Sequence, residues 1–331
     1  MAGEKGHNTH GSKRDHGGGL DAACERWGGA RTDWLDLSTG INPIPYPLPE
    51  LPGDAWSALP DSNSLARLIT AARAYWDVPA GLEVLPTHGA SAPIARIPFL
   101  LAPHGPGRVH IPAPTYNEHA AAFRNAGFDT VPRIDDGPVD ATVLVHPNNP
   151  DGRLWTAEEL PESGLLIIDE SFCDIHPERS LLPVVATRPQ TLVLKSFGKF
   201  WGLAGLRLGF VIGAPALIAP LREMTGPWSV SGPALAIGEA ALTDNNWARE
   251  TRTRLDTDAA RLDTLMTAVG ATLAGGTSLF RLYRTADATA MQERLARGHV
   301  WSRRFPYSSE WIRLGLPGSE SDWQQLERAL A

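Results

Sequence analysis

The sequence predicts an α/β sandwich followed by a smaller α+β unit. Three observations carry that prediction. Short, uniformly apolar runs recur between Arg108 and Ile212, helical patterns separate them, and the pattern changes after MTGPWSVSGP, where longer helices take over. Runs apolar at every position belong to strands covered on both faces, which implies a mostly parallel central sheet sandwiched by helices.

Taken in order, the opening MAGEKGHNTHGSKRDHGGG is polar and glycine-rich, with no periodicity that would bury a face. Residues 1–35 are therefore expected to form an arm, partly disordered, with a mobile start. Its His7, His10 and His16 lack a scaffold that would fix coordination geometry, so no metal is expected. From Asp36, DLSTGINPIPYPLP is an extended surface segment, because each proline disfavours helix at the residue before it. Leu65, Leu68, Ile69, Ala72 and Trp76 then make one apolar face of a helix over Ser64–Trp76. Arg108–Ile111, Ala141–Val145, Leu165–Ile168, Thr191–Leu194 and Gly209–Ile212 read as strands, with a helix at Glu118–Ala126. These place the large unit at 36–228. In the small unit, 229–331, Pro233–Leu242 and Trp247–Val269 read as helices, the second with Leu255, Leu262, Leu265 and Val269 on one side. Strands Ser278–Tyr283 and Trp311–Leu314 alternate there with helices Ala286–Arg297 and Ser321–Leu330.

A chain of 331 residues, 43% hydrophobic and 20% charged, can bury a sizeable core. It shows no apolar run long enough to cross a bilayer and no secretory start, so a soluble cytoplasmic protein is expected. A net charge of −7 excludes a global positive field, and with it nucleic acid or an anionic membrane as the expected partner. An anionic ligand must be held by a local cluster. Cys24 and Cys173 are too few for a disulfide framework or a thiolate zinc site and are read as packing residues.

The most informative stretch is LVLKSFGKFWGLAGLRLGFVIG, residues 192–213. It sets Lys199 in a glycine-rich connection between two buried strands, among Phe200, Trp201, Leu203 and Leu206. Desolvation there lowers the pKa of the amine, which suits a lysine meant to form an imine. Ser196 lies three residues before it and Arg207 eight after, a hydroxyl and a guanidinium able to clamp a phosphate. The alternative is a surface loop with a salt-bridged arginine and a snorkelling lysine.

This serine, lysine and arginine spacing resembles the fingerprint of the fold-type I pyridoxal-phosphate enzymes, and four further segments match that family in order. In LIIDESF, Asp169 ends a buried strand, and a charge there needs a cationic partner. The resemblance implies that this partner is the protonated pyridine nitrogen of pyridoxal 5'-phosphate. In HPNNPDG it assigns Asn149 to the cofactor's phenolic oxygen. In THGASAPIARIPFLL, Gly89, Ala90 and Ser91 end a strand and open a helix, offering N–H groups to a phosphate. In IPAPTYNEH, Tyr116 stands where the family places an aromatic over the ring. Without the lysine, Asn149 reads as a turn residue, Asp169 as a helix cap and Tyr116 as an edge tyrosine.

Within the family, HGGGLDAA, LDLSTGINPIP, KFWGLAGLRLGF and PWSVSGPALAIGEAAL are similar to the threonine-phosphate decarboxylases of cobalamin biosynthesis, with histidinol-phosphate aminotransferases as near neighbours. Phe172 points the same way, since many aminotransferases have a tyrosine there. The resemblance implies a small phosphorylated amino acid as substrate, bound by Arg313 of WIRLG, His16 and Asn42, and a homodimer with sites at the subunit boundary. A departure is ALPD, where Leu59 replaces a tyrosine that in aminotransferases reaches the neighbouring subunit's cofactor phosphate. A reading from another class, a serine hydrolase built on HGGG and Ser91, fails because G-A-S-A-P lacks the final glycine of the nucleophile elbow.

Overall fold

The computed structural model describes residues 16–101, 105, 107–134, 137–162 and 164–331. His7, His10 and the expected mobile start lie outside the described residues. After a two-residue strand, β1 (Leu35–Asp36), the main sheet is built from β2 (Glu83–His88), β3 (Arg108–His110), β4 (Asp129–Val131), β5 (Ala141–Val145), β6 (Leu165–Asp169), β7 (Thr191–Ser196) and β8 (Leu208–Gly213). Their order is β2-β8-β7-β6-β5-β3-β4. Neighbours run parallel except at β8, which is antiparallel to both β2 and β7.

Successive residues of each central strand enter opposite cores, as the pleat requires. Leu166, Ile168, Val193 and Ile212 pack in one cluster, and Leu165, Ile167, Leu192, Leu194 and Val211 in the other. The helix at Ser62–Tyr75 is capped by Asp61, whose carboxylate accepts from the Asn63 and Ser64 N–H groups at 2.8 and 2.9 Å. It buries Leu68, Ala71 and Ala72, while Leu65 sits on its exposed rim. The strand expected to end at Gly89–Ser91 is β2, and its EVLPTH carries Pro86. The proline is accommodated because β2 is an edge strand, bonded only to β8.

In the smaller unit, the helix Asn245–Ala268 leads into β9 (Thr272–Thr277) and β10 (Phe280–Arg284). β11 (Val300–Trp301), β12 (Arg303–Phe305) and β13 (Ser308–Leu314) follow, and β12-β13-β10-β9 form an antiparallel sheet. β11 pairs in parallel with β1. Two segments cross the expected boundaries. The helix Gly232–Thr243 packs on Ser62–Tyr75, with Gly238 so close to Leu68 and Leu208 that a Cβ would collide with both. In the arm, the helix Leu20–Trp27 buries Leu20 and Ala23 against Trp34 and Ala296 of the small unit, so residues 16–35 are docked there. Cys24 packs in that cluster and Cys173 is buried in the core, both as free thiols. No helix among the described residues is long and apolar enough to cross a membrane.

Candidate active site

The parallel strands β2, β5, β6 and β7 end at the same edge of the sheet, and the reversed β8 begins there. Ligands of open α/β sheets bind outside such carboxyl ends. One pocket at this edge is lined by Ala90, Ser91, Tyr116, Asn149, Asp169, Ser196, Lys199 and Arg207, together with Ser171 and Phe172. Gly89 completes the cup without lining it. Its φ of +69° is left-handed, and a Cβ there would run into the Arg207 guanidinium. Arg207 itself adopts a φ of +56°, a conformation rare for a side chain of its size, and is tied by Nη1 to the Ala204 carbonyl at 3.0 Å. A Cβ on Gly209 would lie 2.6 Å from the Ala90 nitrogen, so β8 can pass directly beneath the cup only as glycine.

Asp169 is buried at the end of β6. Its Oδ2 pairs with His119 Nε2 at 2.8 Å, and its Oδ1 accepts from the Ser171 N–H at 3.0 Å. Burial pushes this carboxyl up, but the bonds from His119 and Ser171 outweigh it and hold the group below the usual carboxylate range. His119, buried in the helix Asn117–Asn125, escaped the sequence reading. The available signal was a histidine one turn beyond Tyr116 and a strand-end aspartate needing a partner. Lys199 is pushed down to about 8, first by burial and then by the charge of Arg313 and, less, of Arg207, with Asp169 pulling the other way. Its Nζ lies 5.3 Å from the centre of the Phe172 ring.

A second pocket adjoins the first and is lined by His16, Tyr116, Asn149, Arg303, Tyr307 and Arg313 among others. Arg313 is buried. It donates to Asn149 Oδ1 and, at 2.8 Å, to the Ser38 carbonyl. Because a guanidinium only donates, the Asn149 oxygen faces Arg313 and its amide N–H groups turn elsewhere. Arg303 was missed by the sequence reading; the β12–β13 register sets it directly opposite Arg313. His16 lies at the rim with Nε2 3.0 Å from Glu118 Oε1.

Asn42 corrects an expectation. Its side chain is buried and spent on structure: Nδ2 donates to the Phe200 carbonyl at 2.9 Å, and Oδ1 accepts from Arg254 at 2.6 Å and the Ile44 N–H at 3.1 Å. It does not line either pocket. Only its backbone touches the site, through an N–H donated to the Lys199 carbonyl at 3.0 Å. The hydrolase reading fails in space as well. Gly18 is bonded to Ser38 and Trp301, away from Ser91, and among the described residues no histidine is hydrogen-bonded to Ser91.

Beneath the site, His146, Glu170 and Cys173 approach one another closely enough to suggest a metal, but their donor atoms are committed. Glu170 accepts from Lys195 at 2.6 Å, Ser180 at 2.7 Å and the Leu181 N–H at 2.6 Å. His146 Nδ1 accepts from the Trp155 N–H at 3.0 Å, and its Nε2 is 2.7 Å from the Arg179 carbonyl. The cation of this cluster is Lys195, which also stands 3.8 Å from Asp174.

Comparison with known proteins agrees with this geometry. Residues 48–330 match the family model described as aminotransferase class I and II. Threonine-phosphate decarboxylases of Pseudomonas aeruginosa and of a Sinorhizobium species are 39% and 38% identical to the chain, each over 96% of it and 97% of their own length. The crystal structure of histidinol-phosphate aminotransferase from Sinorhizobium meliloti in complex with pyridoxal-5'-phosphate superposes with a TM-score of 0.78 at 18% identity, covering 99% of this chain and 98% of that one. With a lysine and an aspartate lining one pocket at the sheet edge, and with matches spanning nearly its whole length, the chain belongs to the class I and II aminotransferase family.

Proposed function

We propose that this protein is a pyridoxal-phosphate enzyme that decarboxylates L-threonine O-3-phosphate to (R)-1-aminopropan-2-yl phosphate and carbon dioxide, as a cytoplasmic step of cobalamin biosynthesis. The observation that carries the reading is the placement of Lys199, with its amine pKa lowered to about 8, in one pocket with Asp169, Asn149, Ser196 and Arg207. The relatives named threonine-phosphate decarboxylase support the choice of reaction.

The residues fit the cofactor. Lys199 offers an amine to its aldehyde, the ionised Asp169 suits a cationic ring nitrogen, and Asn149 has amide donors for the phenolic oxygen. Ser91, Ser196, Arg207 and the Ala90 N–H suit its phosphate. When bound, pyridoxal phosphate supplies an electron-withdrawing ring conjugated to the substrate's α-carbon. Arg313, clamped by Ser38 and Asn149, holds the substrate carboxylate. Arg303 beside it takes the substrate's phosphate, which makes a doubly anionic amino acid the matching ligand. A Lys199 amine poised near neutrality can hold a proton at one stage and deliver it to the α-carbon at another.

Incubation with L-threonine O-3-phosphate is expected to release carbon dioxide. Glutamate formed from 2-oxoglutarate with histidinol phosphate would instead establish the aminotransferase reading, which the fold match to that enzyme keeps in view. Arg303→Gln is expected to raise KM for the phosphorylated substrate about 10- to 100-fold at nearly constant kcat, the effect of losing a charge-assisted contact. An unchanged KM would remove Arg303 from the substrate site.

The working unit is a homodimer. Trp56, Leu59 and Trp228 are 79%, 67% and 60% exposed, an apolar surface costly to leave in water. Leu59 thus offers a partner subunit apolar contact where a tyrosine would offer a hydroxyl. Light scattering is expected to report twice the chain mass of 35.7 kDa, and an active monomer would overturn this.

A further inference from the structure

Asn148 stands beside Asn149 in the chain yet lines neither pocket. Its side chain is buried and joins two segments that lie outside the strands and helices. Oδ1 accepts from the Thr115 hydroxyl at 2.6 Å, while Nδ2 donates to the Pro114 carbonyl at 3.0 Å and to Asp151 Oδ1 at 2.8 Å. Both N–H donors of the amide are thereby spent, which fixes its plane. Pro114 and Thr115 belong to the loop after β3 that leads into Tyr116, and Asp151 to the turn after β5 that carries Asn149.

The turn closes on the same residue. The Asn148 N–H donates to the Arg153 carbonyl and the Gly152 N–H to the Asn148 carbonyl, each at 2.8 Å. Asp151 Oδ1 also accepts from the Arg153 N–H at 3.1 Å. On its other side the turn lies backbone to backbone on β9, where the Gly276 N–H donates to the Asp151 carbonyl at 2.8 Å. A Cβ on Gly152 would lie 2.0 Å from the Gly276 oxygen, and one on Gly275 would lie 2.2 Å from the Asp151 oxygen. The Asn149 side chain is bonded to Arg313, and Asn148 supplies the tie on the Tyr116 side.

We propose that Asn148 is a positioning residue, which aims the Asn149 amide at the cofactor by pinning its turn to the Tyr116 loop. This rests on the assignment of Asn149 to the cofactor's phenolic oxygen. That oxygen shares a proton with the nitrogen that Lys199 contributes. A hydrogen bond donated to the oxygen counts for most once this proton has gone, so it lowers the nitrogen's proton affinity. With Asn149 misplaced, the nitrogen keeps its proton to higher pH. The charged groups acting on Lys199 are Arg313, Asp169 and Arg207, and exchanging one neutral side chain for another at position 148 alters none of them. The Asp151 carboxylate, bonded to Asn148, lines neither pocket.

The test is a double-mutant cycle read from the pH titration of the cofactor's visible absorption in the full-length loaded enzyme. Asn149→Ala is expected to raise the midpoint by about one pH unit, a tenfold gain in proton affinity. Asn148→Ala should raise it by about half a unit, and Thr115→Val, which removes only the bond to Asn148 Oδ1, by about a third. In the Asn149→Ala background both of these shifts should vanish. A residue that merely stabilises the fold would move the midpoint equally in both backgrounds or in neither. A second readout needs no cofactor: in the unloaded protein, Asn148→Ala should speed hydrogen exchange at the Gly152 and Gly276 N–H groups about tenfold. Thr115→Val decides the matter if Asn148→Ala does not fold. A midpoint unmoved in the deciding variant, a shift that survives in the Asn149→Ala background, or unchanged exchange at both glycines would overturn the role of Asn148. A midpoint unmoved by Asn149→Ala would instead overturn the assignment of Asn149, and the proposal with it.

Discussion

Lys199→Met is expected to abolish turnover, by about 10⁴-fold or more, while making the cofactor-free protein more stable below pH 8. The loss of activity follows from removing both the nucleophilic amine and the proton carrier at the α-carbon. The gain in stability follows from linkage. Burial and Arg313 push the amine down to about 8 from an ordinary 10.5, so between these values the unfolded chain binds more protons than the folded one and wild-type stability rises with pH. Below pH 8 the folded protein carries the full cost of a buried ammonium, at most about 3 kcal/mol, and methionine of similar length does not. Thermal melts from pH 6 to 11 should show the variant melting higher on the acid side, with the difference closing as the pH approaches 10.5. A variant that turns over at a tenth of the wild-type rate would remove Lys199 from the chemistry. A variant that melts lower at pH 7 would contradict the electrostatic account.

Asp169→Asn is the second substitution with a large expected effect, a fall in kcat of about a thousandfold with weaker retention of the cofactor. The amide keeps the shape of the side chain and can still accept from the Ser171 N–H, so the change isolates the charge. Because His119 and Ser171 hold the native carboxyl below its usual range against the opposing effect of burial, it is ionised throughout the working pH range. It also contributes stability that is present above the unfolded carboxyl pKa and lost as the pH falls through the lower folded value. The asparagine variant should therefore lose less stability than the wild type on acidification. Steady-state kinetics with equilibrium dialysis of the cofactor checks the first expectation. Activity within tenfold of wild type would mean that Asp169 serves His119 and the fold rather than the ring.

What could be read along the chain was whatever local chemistry demands. Leu165–Ile168 and Gly209–Ile212 announce themselves because strands buried on both faces have no polar alternation to mask them. Lys199 is legible as an amine set in an apolar, glycine-rich connection, and Ser196, Arg207, Asp169 and Asn149 become legible only beside it, through their spacing and their order in the family pattern. The residues that escaped are those whose meaning lies in pairing across the chain. Arg303 matters because of its strand register with Arg313, and His119 because its ring reaches Asp169. Asn42 fails in the opposite sense. It stands beside the site in the sequence motif, yet the Phe200 carbonyl and Arg254 use up its amide.

The single reversal at β8 has a consequence for how this site can vary. Two parallel neighbours would need a crossover of a dozen or more residues, ordinarily a helix, which would carry the second strand's start to the far rim of the sheet. Turning β8 around lets the connection between Ser196 and Leu208 double back on the same rim, so the amine and the guanidinium that ends it ride on one short loop. Lengthening or shortening that loop moves anchor and clamp together, and neither can be repositioned alone by drift in the helices outside.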